Sequence, residues 1–589
     1  MEVPYIPPNA PFNPDQRQWL AGFFAGLHSR MLVQSENVAA AQSNAVQKPI
    51  AILYGTQTGN SEELANEAAQ EAKENGLVPS LIDMGDCTAV SFTGFARVVM
   101  VCSTYGEGEM PDNAQELWEA FEADDAPRID GVPFGILALG DTNYDLYCEA
   151  GRLWDERLAA LGGERIIDRV DCDVDYEEAA RAWIKEIMPR MAAHGGNETA
   201  GAEGAVKAEA KTGGARWTRT NPYDATLLKR VLLSAEGSGK EIVHYEISLG
   251  DSEIEYRAGD IVNIFSTNEI AYVDKMIEIL QCSGDEMIPT KGEDKESLRH
   301  LLTEVLDIRR PSRDLIQLLA DRSGDRELGK ILESKDSKAL DDYLYGKDTL
   351  DLMNKFGSIP LSGAEFCRLA KPLAARAYSI SSCPLKHENE VHVTVASVRW
   401  DYEGREHKGI CSTYLADILA EEKKLKVYFT RNKHFRIPED ESKNIIMVGP
   451  GTGIAPFRAF LEEREMTCAS GKNWLFFGDR NEATDFIYKD ELLAMKDSGI
   501  LNRLDLAWSR DQKEKIYVQN RMLENAEEIF KWLEAGAYFY VCGDAYYMAK
   551  DVDKALHDII AEQGMLSAEE ADSYVSRLKK DKRYVRDVY

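Results

Sequence analysis

A chain of 589 residues is too long for a single hydrophobic core and should divide into about three or four domains. Its 44% hydrophobic and 29% charged residues are ordinary for a globular protein, no run reaches the roughly 18 apolar residues of a membrane span, and residues 1–30 lack the basic and apolar regions of a secretory signal. A net charge of −32 argues against nucleic acid, and ten scattered cysteines without a C-x-x-C pair and nine dispersed histidines point to reduced thiols in a cytoplasm, with no disulfide framework and no metal site.

Residues 1–47 hold five prolines, Pro4 to Pro14, and then a short amphipathic stretch carrying Trp19, Leu20, Phe23 and Phe24. Such a helix needs a surface to pack on, either a neighbouring subunit or domain or its own domain. From Pro49 a βα alternation begins. The apolar run Ile50–Tyr54 predicts a buried strand, followed by the turn Thr56-Gln57-Thr58-Gly59-Asn60-Ser61 and a helix from Glu62 to Asn75. Val98–Cys102 is the next strand and ends in Ser103-Thr104-Tyr105-Gly106. Gly135–Leu139 is another, ending in Gly140-Asp141-Thr142-Asn143-Tyr144 and reaching Cys148. Strands with polar loops at their carboxyl ends, separated by helices, predict an open parallel sheet that binds its ligand at those ends.

The loop after the first strand gathers hydroxyls, amides and backbone N–H groups where an anion is welcome. It lacks the Gly-Lys-Ser/Thr of a triphosphate loop, which suits one phosphate of a mononucleotide. Tyr105 and Tyr144 are placed to sandwich a flat ring, with Asp141 and Cys148 flanking the second. Any one of these loops alone could be a plain βα turn. Between Glu107 and Glu178 stand 21 acidic residues against five arginines and no lysine, so half of the net charge lies there. This is either a solubilising surface or a docking face for a basic protein.

Residues 192–219 are rich in Ala, Gly, Glu, Lys and Thr and read as a flexible linker with a reach of about 30 Å. Alternating strands follow at Val231 and Ile242–Ile247. An all-helical stretch, 268–358, interrupts them, and they resume at Ala375–Tyr378 and Val391–Val398. From Asn444 the chain returns to βα alternation until its end. Within this part, Arg376-Ala377-Tyr378-Ser379 offers a planar fork for a diphosphate, a flat ring face and a hydroxyl for a ring nitrogen. Gly449-Pro-Gly451-Thr452-Gly453 follows the strand Ile445–Val448. Ser509-Arg510, Lys515, Ile516, Tyr517, Val518 and Gln519 follow Leu504–Trp508, and their hydroxyl, two cations and phenol compose a 2′-phosphate pocket that favours NADPH over NADH.

Taken together the three loops at 56–61, 103–106 and 139–148 resemble flavodoxin, and specifically the FMN domain of the diflavin reductases. The later segments resemble the same family: Arg376–Ser379 matches its Arg-x-Tyr-Ser FAD signature, with Ala377 where a bulkier residue is commoner. The resemblance implies an α/β multidomain protein: a flavodoxin-like doubly wound parallel sheet, a ferredoxin-reductase-like FAD β-barrel with a helical connecting insertion, and an NADP-binding α/β domain. It implies FMN at Thr56–Ser61, Ser103–Gly106, Leu139–Tyr144 and Cys148. For FAD it implies Arg376–Ser379, Thr394, Val395, Ala396, Trp400, Gly409, Ile410, Cys411, Ser412 and a ring-covering Tyr589. For NADP it implies Gly451, Thr452, Gly453, the 509–519 stretch and, more weakly, Asp551. Ser379, Cys542 and Asp587 are the implied catalytic group beside the nicotinamide.

The expected domains are an N-terminal segment (1–47), an FMN domain (48–191), a linker (192–219), an FAD domain (220–440) and an NADPH domain (441–589). The nearest branch of the family feeds bacterial assimilatory sulfite reduction in cysteine biosynthesis, because the N-terminus carries a soluble helix where the microsomal reductases carry an anchor. That branch implies a partner, a hemoprotein subunit with sirohaem and an iron–sulfur cluster, and leaves open a homo-oligomer through the N-terminal segment. Two alternatives stand beside it: a soluble diflavin reductase serving a haem-thiolate oxygenase, methionine synthase or small electron carrier, and a non-catalytic scaffold assembled by the N-terminal helix.

Overall fold

The computed structural model describes residues 48–56, 59–105, 108–123, 125–142, 146–194, 216–290, 294–334, 337–357, 359–545 and 547–588. The expected N-terminal docking helix lies outside them, as do Gln57, Thr58, Gly106, Asn143, Tyr144 and Tyr589.

The first unit is a parallel sheet of β1 (Pro49–Gly55), β2 (Val78–Asp83), β3 (Val98–Ser103), β4 (Pro133–Leu139), β5 (Glu164–Arg165) and β6 (Val170–Cys172) in the order β2-β1-β3-β4-β5, with β6 also on β4. The central strands are continuous apolar runs because helices cover both faces; Ile52, Leu53, Val98–Cys102 and Ile136–Ala138 are shut off from solvent. The helix Asn60–Glu74 turns Leu64, Ala65, Ala68 and Ala72 inward at helical spacing and keeps its charges outside. Its small alanines let the helix lie close to the sheet.

The second unit is an antiparallel sheet of six strands in the spatial order 376–379, 261–264, 424–430, 223–232, 242–248 and 390–396. It is built from β7 (Tyr223–Leu232), β8 (Ile242–Ser248) and β9 (Ile261–Ile264), which precede an insertion, and from strands that follow it. The expectation of an all-helical insertion over 268–358 needs correction. Helices dominate it, but β10 (Met287–Pro289) and β11 (Lys295–Ser297) form a hairpin, and β12 (Leu306–Asp307) pairs with β13 (Lys371–Pro372). Pro289 breaks any helix there, and the strand conformation buries Ile288 while exposing its two neighbours. The helical part also continues past 358, through Gly363–Leu369, because Phe366 completes the insertion's core.

After the insertion come β14 (Arg376–Ser379), β15 (Glu390–Ala396), the hairpin β16 (Arg399–Tyr402) and β17 (Arg405–Lys408), and β18 (Lys424–Thr430). The third unit is a parallel sheet of β19 (Ile445–Val448), β20 (Asn473–Asp479), β21 (Arg503–Trp508), β22 (Tyr538–Gly543) and β23 (Tyr584–Val588), ordered β21-β20-β19-β22-β23. An α/β multidomain chain with two parallel sheets and one antiparallel sheet is therefore the fold.

The stretch expected to be flexible from 192 is still helical at its start. The helix Glu177–Ala193 keeps Ile187, Met188 and Met191 buried against the first sheet, so its last turn is held by packing. Among the described residues no helix is long and apolar enough to cross a membrane.

Candidate functional site

The second and third units meet at β14, whose Ser379 reaches Asp587 on β23. Strand β14 lies at the edge of the antiparallel sheet, bonded only to β9, with Arg376 and Ala377 exposed and Tyr378 and Ser379 half-buried. Burial holds the Tyr378 phenol well above its ordinary value, so it is a neutral flat ring. The Ser379 hydroxyl donates to Asp587 Oδ2 at 2.7 Å, and the Cys542 thiol donates to the same oxygen at 3.8 Å. The parallel pairing of β22 with β23 sets Cys542 directly beside Asp587. Burial raises the Asp587 carboxyl, and the two hydrogen bonds only partly oppose it. Burial, then the neighbouring carboxylate, raises the Cys542 thiol. The group is thus a hydroxyl, a thiol and a carboxyl joined by hydrogen bonds, with the thiol fully buried.

The glycine-rich turn leads from β19 into the helix Ala455–Met466, with a proline in its first turn. Gly451 has φ +58, a left-handed conformation that disfavours a side chain. A Cβ on Gly453 would run into the carbonyl of Cys542, so this glycine lets the turn lie against β22. Thr452 between them is half-buried. Sequence reading missed two residues here. Lys240, from the antiparallel unit, reaches Asp479 Oδ1 at 2.5 Å, and Asp479 Oδ2 is buried without a partner among the described residues. Nothing local in the sequence marks a lysine before β8 as a neighbour of β20.

Beyond β21, Ser509 donates through its hydroxyl to the Asp479 carbonyl, while Arg510, Lys515 and Tyr517 face solvent. These three suit an anionic phosphate. Other members of the stretch are differently employed: Val518 is buried in the core and Ile516 packs on it, so neither offers more than backbone. The Gln519 amide donates to Asp551, so these two residues of the expected site are tied to each other.

Similar sorting holds in the antiparallel unit. Val395 is buried, and Thr394 points its hydroxyl to Tyr488 at 2.7 Å, leaving backbone and Ala396 on that strand for a ligand. Trp400 stacks on His407 at 5.2 Å and donates to the Gly346 carbonyl. Gly409 precedes the short helix Ile410–Thr413; Cys411 is buried, and Ser412 accepts from the Val398 N–H at 3.1 Å.

In the first unit, Gly59 (φ +89) donates to Thr56 Oγ1 and caps the helix that opens at Asn60. The Ser61 hydroxyl is buried there with no partner among the described residues. A helix start with an unspent hydroxyl fits a phosphate. Asn113, not singled out from sequence, accepts from the Thr56 N–H at 2.8 Å and donates to Asp83, holding the loop's shape. Ser103 ends β3, and Thr104 Oγ1 accepts from the Ala150 N–H at 3.2 Å. Gly140 admits Cys148 at close range, where any Cβ would clash. Leu139 and Cys148 are core residues, and Thr142 is tied to Asp173 at 2.7 Å. Asp141 lies half-buried between them.

The first unit is docked on the others. Tyr105 donates its phenol to the Val588 carbonyl at 2.9 Å. Ion pairs ring that contact: Arg586–Asp112 at 2.5 Å, His434–Asp83 at 2.8 Å, Lys371–Asp173 at 2.7 Å and Lys433–Glu62. In each pair the acid belongs to the first unit and the base to the rest of the chain.

Three family models match the chain: Flavodoxin over residues 52–183, FAD binding domain over 216–414 and Oxidoreductase NAD-binding domain over 447–554. The sulfite reductase (NADPH) flavoprotein alpha-component of Bacillus subtilis is 37% identical over 602 residues, covering 99% of this chain and 99% of the relative. That of Vibrio cholerae is 38% identical over 578 residues, covering 98% and 94%.

Proposed function

The chain belongs to the sulfite reductase (NADPH) flavoprotein alpha-component family, and from that premise we propose that its electrons pass to a hemoprotein partner that reduces sulfite to sulfide. Within the family's chemistry it is an oxidoreductase that takes electrons from NADPH and passes them through FAD and FMN. NADPH supplies two electrons together as hydride, and the paired flavins, when bound, let them leave singly. The rest is the protein's own work of binding, orienting and tuning.

The observation that carries the reading is the convergence of Ser379, Cys542 and Asp587 beside the glycine turn. Ser379 and Asp587 hold a proton within reach of whatever ring lies on Tyr378. Arg376 and the Gly409 turn would hold the FAD diphosphate, and Arg510, Lys515 and Tyr517 the 2′-phosphate of NADPH. Thr56, Gly59, Asn60 and Ser61 would hold the FMN phosphate. Docking of the acidic first unit onto basic side chains brings its Tyr105 to the last strand, where the two flavin sites come closest. The same acidic surface, when released, suits a basic face on the hemoprotein. All ten cysteines are free thiols, which favours a cytoplasmic setting.

The test is affinity capture from native extract, followed by NADPH-driven sulfide production with whatever co-purifies. Recovery of a haem protein and formation of sulfide are expected. Reduction of cytochrome c without either would sink the sulfite assignment and leave a diflavin reductase for another acceptor.

A further inference from the structure

Sequence reading found no metal-ligand spacing among the dispersed histidines. Folding nevertheless gathers His387, from the turn that connects β14 to β15, with Glu390 and His392 at the start of β15. One ligand atom from each lies within 4.8 Å of the others. The two imidazole centroids are 4.3 Å apart. His392 is 2% exposed and stands opposite Glu246 on β8, so its ring is fixed by the sheet. Its Nε2 meets Glu390 Oε2 at 3.1 Å, and its Nδ1 is buried with no partner among the described residues. His387 Nε2 meets Oε1 of the fully buried Glu462 at 2.9 Å.

Charge separates this cluster from a second one of the same residue types. Asp348, Asp351 and His407 also lie close together, but the Arg405 guanidinium sits among them, at 2.5 Å from Asp348, 2.8 Å from Asp351 and 2.6 Å from His407 Nε2. The place of a cation is taken there. At His387, the nearby cations pair with carboxylates outside the trio: Arg458 and Lys386 with Glu462, which His387 also meets, and Lys229 with Glu246. Glu390 pairs with His392 and with no lysine or arginine among the described residues. Two imidazoles and a carboxylate therefore face one another with a ring nitrogen unspent and no positive side chain between them.

We infer that His387, Glu390 and His392 bind a divalent transition cation of the zinc type. Two nitrogens and one oxygen suit zinc, cobalt or nickel and do not suit magnesium or calcium, which take oxygen ligands. Metal–ligand bonds of about 2.0–2.2 Å place ligand atoms roughly 3.3–3.5 Å apart. Closing from the present separations takes shifts of about 1 Å, and His387 and Glu390 are both partly exposed and free to make them. A carboxylate outside the trio, Glu462, already orients the His387 ring, as metal-binding histidines require. Because Glu462 lies on the helix Ala455–Met466, the cation would fasten the turn after β14 to the helix that follows the glycine turn. Its role is structural, a brace between the FAD-binding and nucleotide-binding units.

The experiment uses flavin-loaded full-length protein, untagged and stripped with chelator, titrated with Zn2+ by calorimetry and with Co2+ by difference absorption. His387→Gln and Glu390→Gln are titrated alongside, since His392→Gln is buried and risks the fold. Expected are one equivalent bound by the wild type, affinity reduced about tenfold or more in both variants, and a melting temperature raised by Zn2+ only in the wild type. No stoichiometric binding by the wild type, or equal binding by both variants, would overturn the site.

Discussion

Tyr105 donates its phenolic hydrogen to the carbonyl oxygen of Val588, across 483 residues of sequence, at 2.9 Å. One partner belongs to a loop expected to flank the FMN, and the other precedes the residue expected to cover the FAD. The bond therefore reports docking of the flavodoxin-like unit against the last strand of the third unit. Tyr105→Phe keeps the ring and removes the bond. A net loss of about 0.5–1.5 kcal/mol would lower the docking equilibrium constant roughly two- to thirteenfold. Stopped-flow absorption should show a slower electron step between flavins at unchanged FMN and FAD content, and an unchanged rate would remove this bond from the docking contact.

Docking should also depend on salt. Asp112, Asp83, Asp173 and Glu62 face Arg586, His434, Lys371 and Lys433 across the contact. The Debye length falls from about 10 Å at 0.1 M to about 3 Å at 1 M, so partly exposed pairs weaken together. Small-angle scattering should show the radius of gyration rising with ionic strength. Lys433→Glu should reach the same expansion at lower salt. A radius independent of salt in both proteins would show that packing, not charge, holds the pose.

Ser379→Ala takes away the hydroxyl that is 2.7 Å from Asp587. Flavin reduction by NADPH should slow by about tenfold or more, which is about 1.4 kcal/mol of barrier, with FAD content and the KM for NADPH little altered. A slowdown matched by loss of FAD would move Ser379 from the reaction to cofactor binding.

Asp587 makes a pH prediction with a definite sign. Burial raises its carboxyl in the folded protein, whereas the unfolded chain titrates near the ordinary value of about 3.9. Its contribution to stability is full below the unfolded value and is lost as pH rises through the raised folded value. Asp587→Asn keeps an acceptor for Ser379 and cannot ionise. The melting temperature of the wild type minus that of the variant should therefore fall as pH climbs above the ordinary carboxylate range. A difference that is flat with pH would place the proton elsewhere.

Arg510→Ala should raise the KM for NADPH more than that for NADH. A charge-assisted hydrogen bond of about 1.5–3 kcal/mol corresponds to roughly 10- to 150-fold. Steady-state kinetics with both coenzymes decides this, since equal losses would take Arg510 out of the 2′-phosphate pocket.

What the sequence determined by itself was local. The apolar runs at Ile50, Val98 and Ile445 required buried parallel strands, because a strand covered on both faces shows no polar alternation. The turns at Thr56 and Gly451 and the strand at Arg376 were legible from donors and glycines within a few residues of one another. Flavodoxin-like and reductase-like units followed from those patterns. Where side chains from distant segments meet was not legible. Asn113 shapes the Thr56 loop, Lys240 reaches Asp479, and His387 reaches Glu462 only because the fold brings those distant segments together. Val395 and Val518 turn their side chains into the core: side chains along a strand alternate between faces, those of a helix recur every 3.6 residues, and packing decides which face is inside. Periodicity fixes which face of an element is apolar, but tertiary packing alone decides what that face, and the polar groups at its rim, will touch.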